Sequence, residues 1–144
     1  MKVNMNGKKK LTLLDNVPTM GHDHKKAKDN WINVFLYEPT RKEIHTWPNE
    51  IKKDLGSILT LLQKRESLKS KDFKPMPIIS DGVFEIRLKG IDGIYRVFYI
   101  LKTEFGILVF HGFKKTSQKT LKKDITKGRI RLKEFLKELN NEKD

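Results

Sequence analysis

The sequence predicts an α+β fold, in which a small antiparallel β-sheet, a meander plus an N-terminal strand, packs with an N-terminal helical segment and a C-terminal helix. Three observations carry this reading. Ile32-Asn33-Val34-Phe35-Leu36-Tyr37 is short and β-rich, apolar residues recur at three- and four-residue steps over roughly 48–66, and three strand-like runs precede a last amphipathic stretch. The 144 residues leave room for one domain.

In chain order, residues 1–30 hold seven Lys against three Asp, and their one apolar cluster is Leu11-Thr12-Leu13-Leu14. This composition reads as a basic, flexible N-terminal extension ahead of a domain spanning 31–144, with a basic nucleic-acid-binding arm as the second reading. Within it, His22-Asp23-His24 lacks the further ligands that a metal needs. The hexapeptide at 32–37 is the first strand, ended by Glu38-Pro39. Pro48 then opens a helix over roughly 48–66, whose Ile51, Leu55, Ile58, Leu59 and Leu62 share a face. Lys69 to Pro77 is a polar connector that the proline keeps non-helical.

Val83 to Lys89, Ile94 to Leu101 and Phe105 to Phe113 follow. The turns at 90–93 and 103–106 have hairpin length, so these runs form an antiparallel meander with the last two in the centre. In the first run, alternation sends Phe84, Ile86 and Leu88 to a core face and Glu85, Arg87 and Lys89 to a charged one. After a lysine-bearing loop at 114–119, Thr120 is placed to cap the terminal helix. Its stripe comprises Leu121, Ile125, Leu132, Phe135, Leu136 and Leu139, and Asp124 lies in the first turn. Gly128 falls on that stripe, which implies close packing against a neighbour.

Lys and Arg number 31 against 18 Asp and Glu, a formal charge of +13 that calls for a polyanionic partner. The absence of cysteine excludes disulfides, thiolate zinc sites and a cysteine nucleophile. No apolar stretch is long enough to span a bilayer and none forms a signal-peptide core, so a cytoplasmic protein with no membrane partner is expected.

The meander gathers the candidate chemistry. Arg87 and Lys89 lie on one strand, Arg96 on the next, and Lys114, Lys115 and Lys119 leave the third, so that six cations can converge on one concave face and hold phosphate. A solvated antiparallel face shows the same alternation. Arg96 groups with Ile94, Phe98 and Ile100, so it needs an anion: Glu85 or Glu104 if structural, a phosphate if functional. His111, at the end of a buried run, reads either as a hydrogen-bonded structural residue or as a proton-transfer group. Tyr95 and Tyr99 share a face with Val97 and Leu101, which favours core packing and leaves base stacking to a ring at the rim.

Gly82-Val-Phe-Glu-Ile-Arg-Leu-Lys, Gly93-Ile-Tyr-Arg-Val-Phe-Tyr and His111-Gly-Phe-Lys-Lys-Thr-Ser-Gln-Lys-Thr, followed by a basic helix, resemble the RelE/HigB superfamily of type II toxin–antitoxin toxins. The phage-associated HigB-like branch has the closest pattern. The resemblance runs from about Ile32 to Leu139. It implies a RelE-like fold and a ribosome-dependent endoribonuclease, an mRNA interferase that cuts mRNA in the A site, inhibits translation and is neutralised by a cognate HigA-like antitoxin. Arg87, Lys89 and Arg96 match the family's basic meander residues, and Lys114, Lys115 and Lys119 its basic loop. Glu85 stands where the family usually has a basic residue, no tyrosine occupies the loop position where RelE has one, and Leu121 replaces a common proline.

Such an enzyme needs no metal or other cofactor if the RNA 2′-hydroxyl attacks the adjacent phosphate. Arg87 and Arg96 are then the expected phosphate clamp, and Lys89 or Lys114, crowded by other cations, the base. His111 is the reserve proton carrier, while Lys115, Lys119, Lys122 and Lys123 are expected RNA contacts. The rival readings are a non-enzymatic ParE-like toxin that inhibits gyrase on the same scaffold, and a basic nucleic-acid-binding accessory protein.

Overall fold

The β-rich hexapeptide forms a strand only at its centre, β1 (Val34–Leu36), and the chain turns directly into a helix, α1 (Glu38–His45). The structure, a computed structural model, describes residues 30–68, 72–115 and 122–143. The expectations for the extension at 1–29, for Lys119 and for the Thr120 cap lie outside the described residues.

Helix α1 is an addition to the sequence reading. Glu38-Pro39 ends the strand, but proline in a first helical turn costs no hydrogen bond, and Glu38 at the start with Lys42 and His45 at the end suit the helix dipole. Only Thr40 and Ile44 are buried in it, too few to give a visible periodicity. Helix α2 (Asn49–Gln63) buries Ile51, Leu55 and Leu59, the face read from their spacing. It stops short of residue 66 because Arg65 takes a left-handed φ of 67°, and the Glu66 amide closes back on the Leu61 carbonyl at 2.9 Å.

Next come β2 (Phe73–Pro75), β3 (Val83–Gly90), β4 (Gly93–Lys102), β5 (Gly106–Lys115) and the long helix α3 (Lys122–Lys143). The sheet order is β1-β5-β4-β3-β2, with β4 and β5 interior to it as expected. The meander is antiparallel, whereas β1 joins β5 in parallel through Val34 opposite Ile107, so the sheet is mixed. A parallel pair needs a crossover, and here the helices and the meander supply it.

Both faces of the sheet are covered. Ile86, Leu88, Tyr95, Val97 and Tyr99 pack with Ile44 of α1 and Ile51, Leu55 and Leu59 of α2. Phe98, Ile100, Leu108 and Phe110 pack with Leu132, Phe135 and Leu139 of α3. The second face of β3 is therefore not wholly the charged, solvated surface that alternation suggests, and Glu85 on it is fully buried. Gly128 does make a close approach: a Cβ there would lie 3.0 Å from Phe98 Cδ2. A register shift opposite Phe98 and Tyr99, whose partners are His111 and Val109, turns both Phe110 and His111 toward α3.

Candidate nucleic-acid interface

Arg87 and Arg96 lie directly opposite each other on β3 and β4. Like charges in that position repel, and Glu85 resolves the conflict. Its Oε1 accepts from Arg96 Nη1 at 2.7 Å and from Arg87 Nε at 3.3 Å. The Glu85 and Arg96 side chains are 0% and 1% exposed, while Arg87 keeps 34% of its side chain in solvent. Of the anionic partners considered for Arg96, which are Glu85, Glu104 and a phosphate, the structure pairs it with Glu85. The position where the resembled family has a cation thus carries the buried counter-ion of a neighbouring arginine.

Strand β2 pairs with β3 only at Phe84, Glu85 and Ile86. From Arg87 onward that edge of β3 has no described strand beside it, and Lys89 is exposed there. A cleft of about 590 Å³ follows the edge, with Arg87, Lys89 and Arg96 on the sheet side, Asp54 and Ser57 of α2 opposite, and Asp72 close by. Arg87 offers it a planar fork and Lys89 a mobile point charge, the two donor types that hold phosphate.

Of the described cations, Lys114 and Lys115 do not line this cleft, contrary to the sequence expectation. Lys114 faces the side of the sheet that α2 covers: its Nζ donates to Asp92 Oδ2 at 3.0 Å and lies 5.9 Å from the Tyr95 ring centroid. The hydrogen bond to Asp92 raises the Lys114 pKa, the opposite of the lowered value a general base needs. Lys115 is buried and so is not the surface RNA contact expected of it. Lys122 and Lys123 are exposed at the start of α3. Tyr95 and Tyr99 are buried, as alternation indicated.

His111 is 2% exposed and held at both ring nitrogens. Arg131 Nη1 lies 3.1 Å from Nδ1 and, having no lone pair to offer, donates to it, so Nε2 carries the proton and donates to Asp124 Oδ1 at 3.0 Å. Burial lowers the His111 pKa, Asp124 opposes that shift, and Arg131 reinforces it. Arg131 also binds Glu43 in bidentate fashion at 2.8 and 2.9 Å, and Thr40 donates to the Phe110 carbonyl at 2.7 Å. The network joins α1, β5 and α3 through a neutral histidine. This favours the structural reading of His111. Glu43 and Arg131 were not singled out from the sequence, because nothing local distinguishes them from other charged helix residues.

Among the described residues no group of three or more His, Asp or Glu is placed to hold a metal, and no helix is long and apolar enough to cross a membrane. No curated protein matches the chain. The sequence model of the phage-derived Gp49-like proteins matches residues 42–133, from within α1 to the middle of α3, and so includes the whole meander and its cleft. The chain therefore belongs to the Gp49-like family of phage-derived proteins, a toxin–antitoxin-associated family within the RelE/ParE-like toxin superfamily.

Proposed function

We propose that the chain is the toxin of a type II toxin–antitoxin pair, of the HigB-like branch, acting in the cytoplasm as a ribosome-dependent mRNA endoribonuclease. The observation that carries this reading is the placing of half-buried Arg87 and exposed Lys89 on the open edge of β3, in a cleft backed by the buried Arg96–Glu85 pair. RNA is cut without a metal when its own 2′-hydroxyl attacks the adjacent phosphate, leaving a 2′,3′-cyclic phosphate and a 5′-hydroxyl. Arg87 then stabilises the charge that builds on the phosphate oxygens, Lys89 in its neutral amine form takes up the 2′-hydroxyl proton, and solvent water protonates the departing 5′ oxygen. Arg96 acts as a positioning residue: Glu85, fixed by Arg96, receives Arg87 Nε and leaves the outer guanidinium nitrogens for the ligand.

Two cations align an RNA strand poorly by themselves, so the ribosome supplies the geometry of the codon, and the +13 charge supplies attraction to ribosomal RNA. A HigA-like antitoxin neutralises the protein by covering this cleft or preventing ribosome entry. Primer extension on mRNA, with and without ribosomes, tests the reading. Cuts within codons that require ribosomes support it, and intact mRNA under conditions where the protein stops growth refutes it.

One observation favours the ParE-like alternative: Arg96, Lys114 and His111 are each engaged inside the protein, which leaves a smaller phosphate-binding set than a nuclease of this type is expected to have. On that reading growth stops with mRNA intact and gyrase activity falls.

A further inference from the structure

A second cleft opens at the other side of the sheet, away from Arg87 and Lys89. β1 accompanies β5 only from Ile107 to Val109, so from His111 onward that edge of β5 has no described strand, and α1 and α3 flank it instead. The cleft has a volume of about 430 Å³. Trp47, Gly112 and Phe113 supply its apolar surface, and Lys42 and Lys127 stand exposed beside them.

Gly112 keeps the floor flat. A Cβ there would meet Trp47 Cη2 at 3.2 Å, so the indole lies directly against bare backbone. The indole is held from beneath by Tyr95, with ring centroids 4.9 Å apart, and Phe113 stacks on His111 at 5.2 Å. Both rings remain partly exposed. The acids in the cleft are already engaged, Glu43 by the Arg131 fork and Asp124 by the His111 N–H. Lys42 and Lys127 therefore set the sign of the field that an incoming ligand meets.

Partly exposed aromatic rings, a strand edge without a described neighbour and two flanking cations together match one kind of ligand. An unpaired nucleotide stacks its base on an aromatic ring, meets strand backbone with its base edge and gives its phosphate to lysine. We propose that this cleft binds a single unpaired nucleotide of RNA, with its base on Trp47 and its phosphate held by Lys42 and Lys127. The proposal concerns binding alone and stands whether or not the chain cuts RNA at β3.

The sequence has two tryptophans, so Trp31→Phe leaves Trp47 as the reporter. A 2′-O-methyl tetranucleotide is the probe, because it cannot be cut by 2′-hydroxyl attack. Saturable quenching of Trp47 is expected, with affinity about tenfold weaker in Lys42→Glu/Lys127→Glu. Tripolyphosphate and an acidic peptide are expected to leave the Trp47 signal unchanged. Absence of quenching overturns the proposal, as does equal quenching by tripolyphosphate, which marks a charge effect, or by the acidic peptide, which marks a protein-binding surface. Should Trp31→Phe lose its fold, 19F NMR of the 5-fluorotryptophan-labelled wild-type chain reads the Trp47 resonance directly, with the same outcomes.

Discussion

The Arg96 guanidinium donates to the Glu85 carboxylate at 2.7 Å across β3 and β4, and both side chains are closed off from water. Each charge offsets the other in that setting, and Arg87 Nε lends Glu85 a second donor at 3.3 Å. Breaking such a pair by removing one partner typically costs about 3–5 kcal/mol, whereas replacing both by apolar groups is far milder. Glu85→Leu and Arg96→Met are therefore each expected to lower stability by about that amount, and the double variant by much less than the sum. Urea unfolding of the four proteins measures the coupling. Additive losses would show that the two side chains do not depend on each other.

Acid is expected to loosen the junction of α1, β5 and α3. In the fold His111 is neutral, faced by Asp124, Arg131 and Glu43, and its pKa lies below the ordinary 6.5. As pH falls through 6.5 the unfolded chain takes up a proton that the native state refuses, so stability drops until the lowered native pKa is reached. Glu43, held below its ordinary 4.5 chiefly by the Arg131 hydrogen bond, adds a further loss as pH falls below that value. Melting temperature is thus expected to decline between pH 7 and 5.5 in the wild type and more shallowly in His111→Gln. Equal slopes would remove His111 as the cause.

Gly128 sits where α3 crosses β4. A methyl group there meets Phe98 ring carbons at 3.0 and 3.1 Å, and Phe98 is itself fixed between Phe110, His111 and Phe113. Alanine gains about 1 kcal/mol of helix propensity, but overpacking a core that cannot yield costs about 1–3 kcal/mol. Gly128→Ala is expected to be slightly destabilising and Gly128→Leu strongly so by thermal melting. A more stable Gly128→Leu protein would mean that α3 does not rest on Phe98.

The parts of the fold set by local pattern were legible in the sequence. Alternation and hairpin-length turns gave the meander, and the spacing of Ile51, Leu55 and Leu59 gave the buried face of α2. What was not legible depends on residues that meet from distant parts of the chain. The parallel direction of β1 is settled by its pairing with Ile107, Leu108 and Val109, and no feature near Val34 reports it. The irregularity in β5 turns His111 toward Asp124 and Arg131, which simple alternation along the strand does not reveal. Arg96 was recognised as needing an anion, but whether protein or RNA supplies it was decided only by the Glu85 contact. Lys114 looked equivalent to its neighbours until the hairpin brought Asp92 to it.

In the proposed reaction half-buried Arg87 meets the scissile phosphate and exposed Lys89 the attacking hydroxyl, both on the β3 edge, with Arg96 acting from behind. The most direct test is primer extension on mRNA in a bacterial translation extract, comparing wild type with Arg87→Ala, Lys89→Ala and Lys114→Ala, each shown by melting to be folded. Loss of the phosphate contact in Arg87→Ala, or of the proton acceptor in Lys89→Ala, is expected to reduce ribosome-dependent cutting about a hundredfold. Lys114→Ala is expected to cut as the wild type does, because that lysine is paired with Asp92 on the other side of the sheet. Full cutting by Arg87→Ala and Lys89→Ala, or mRNA left intact by a wild-type protein that still arrests growth, would contradict the account.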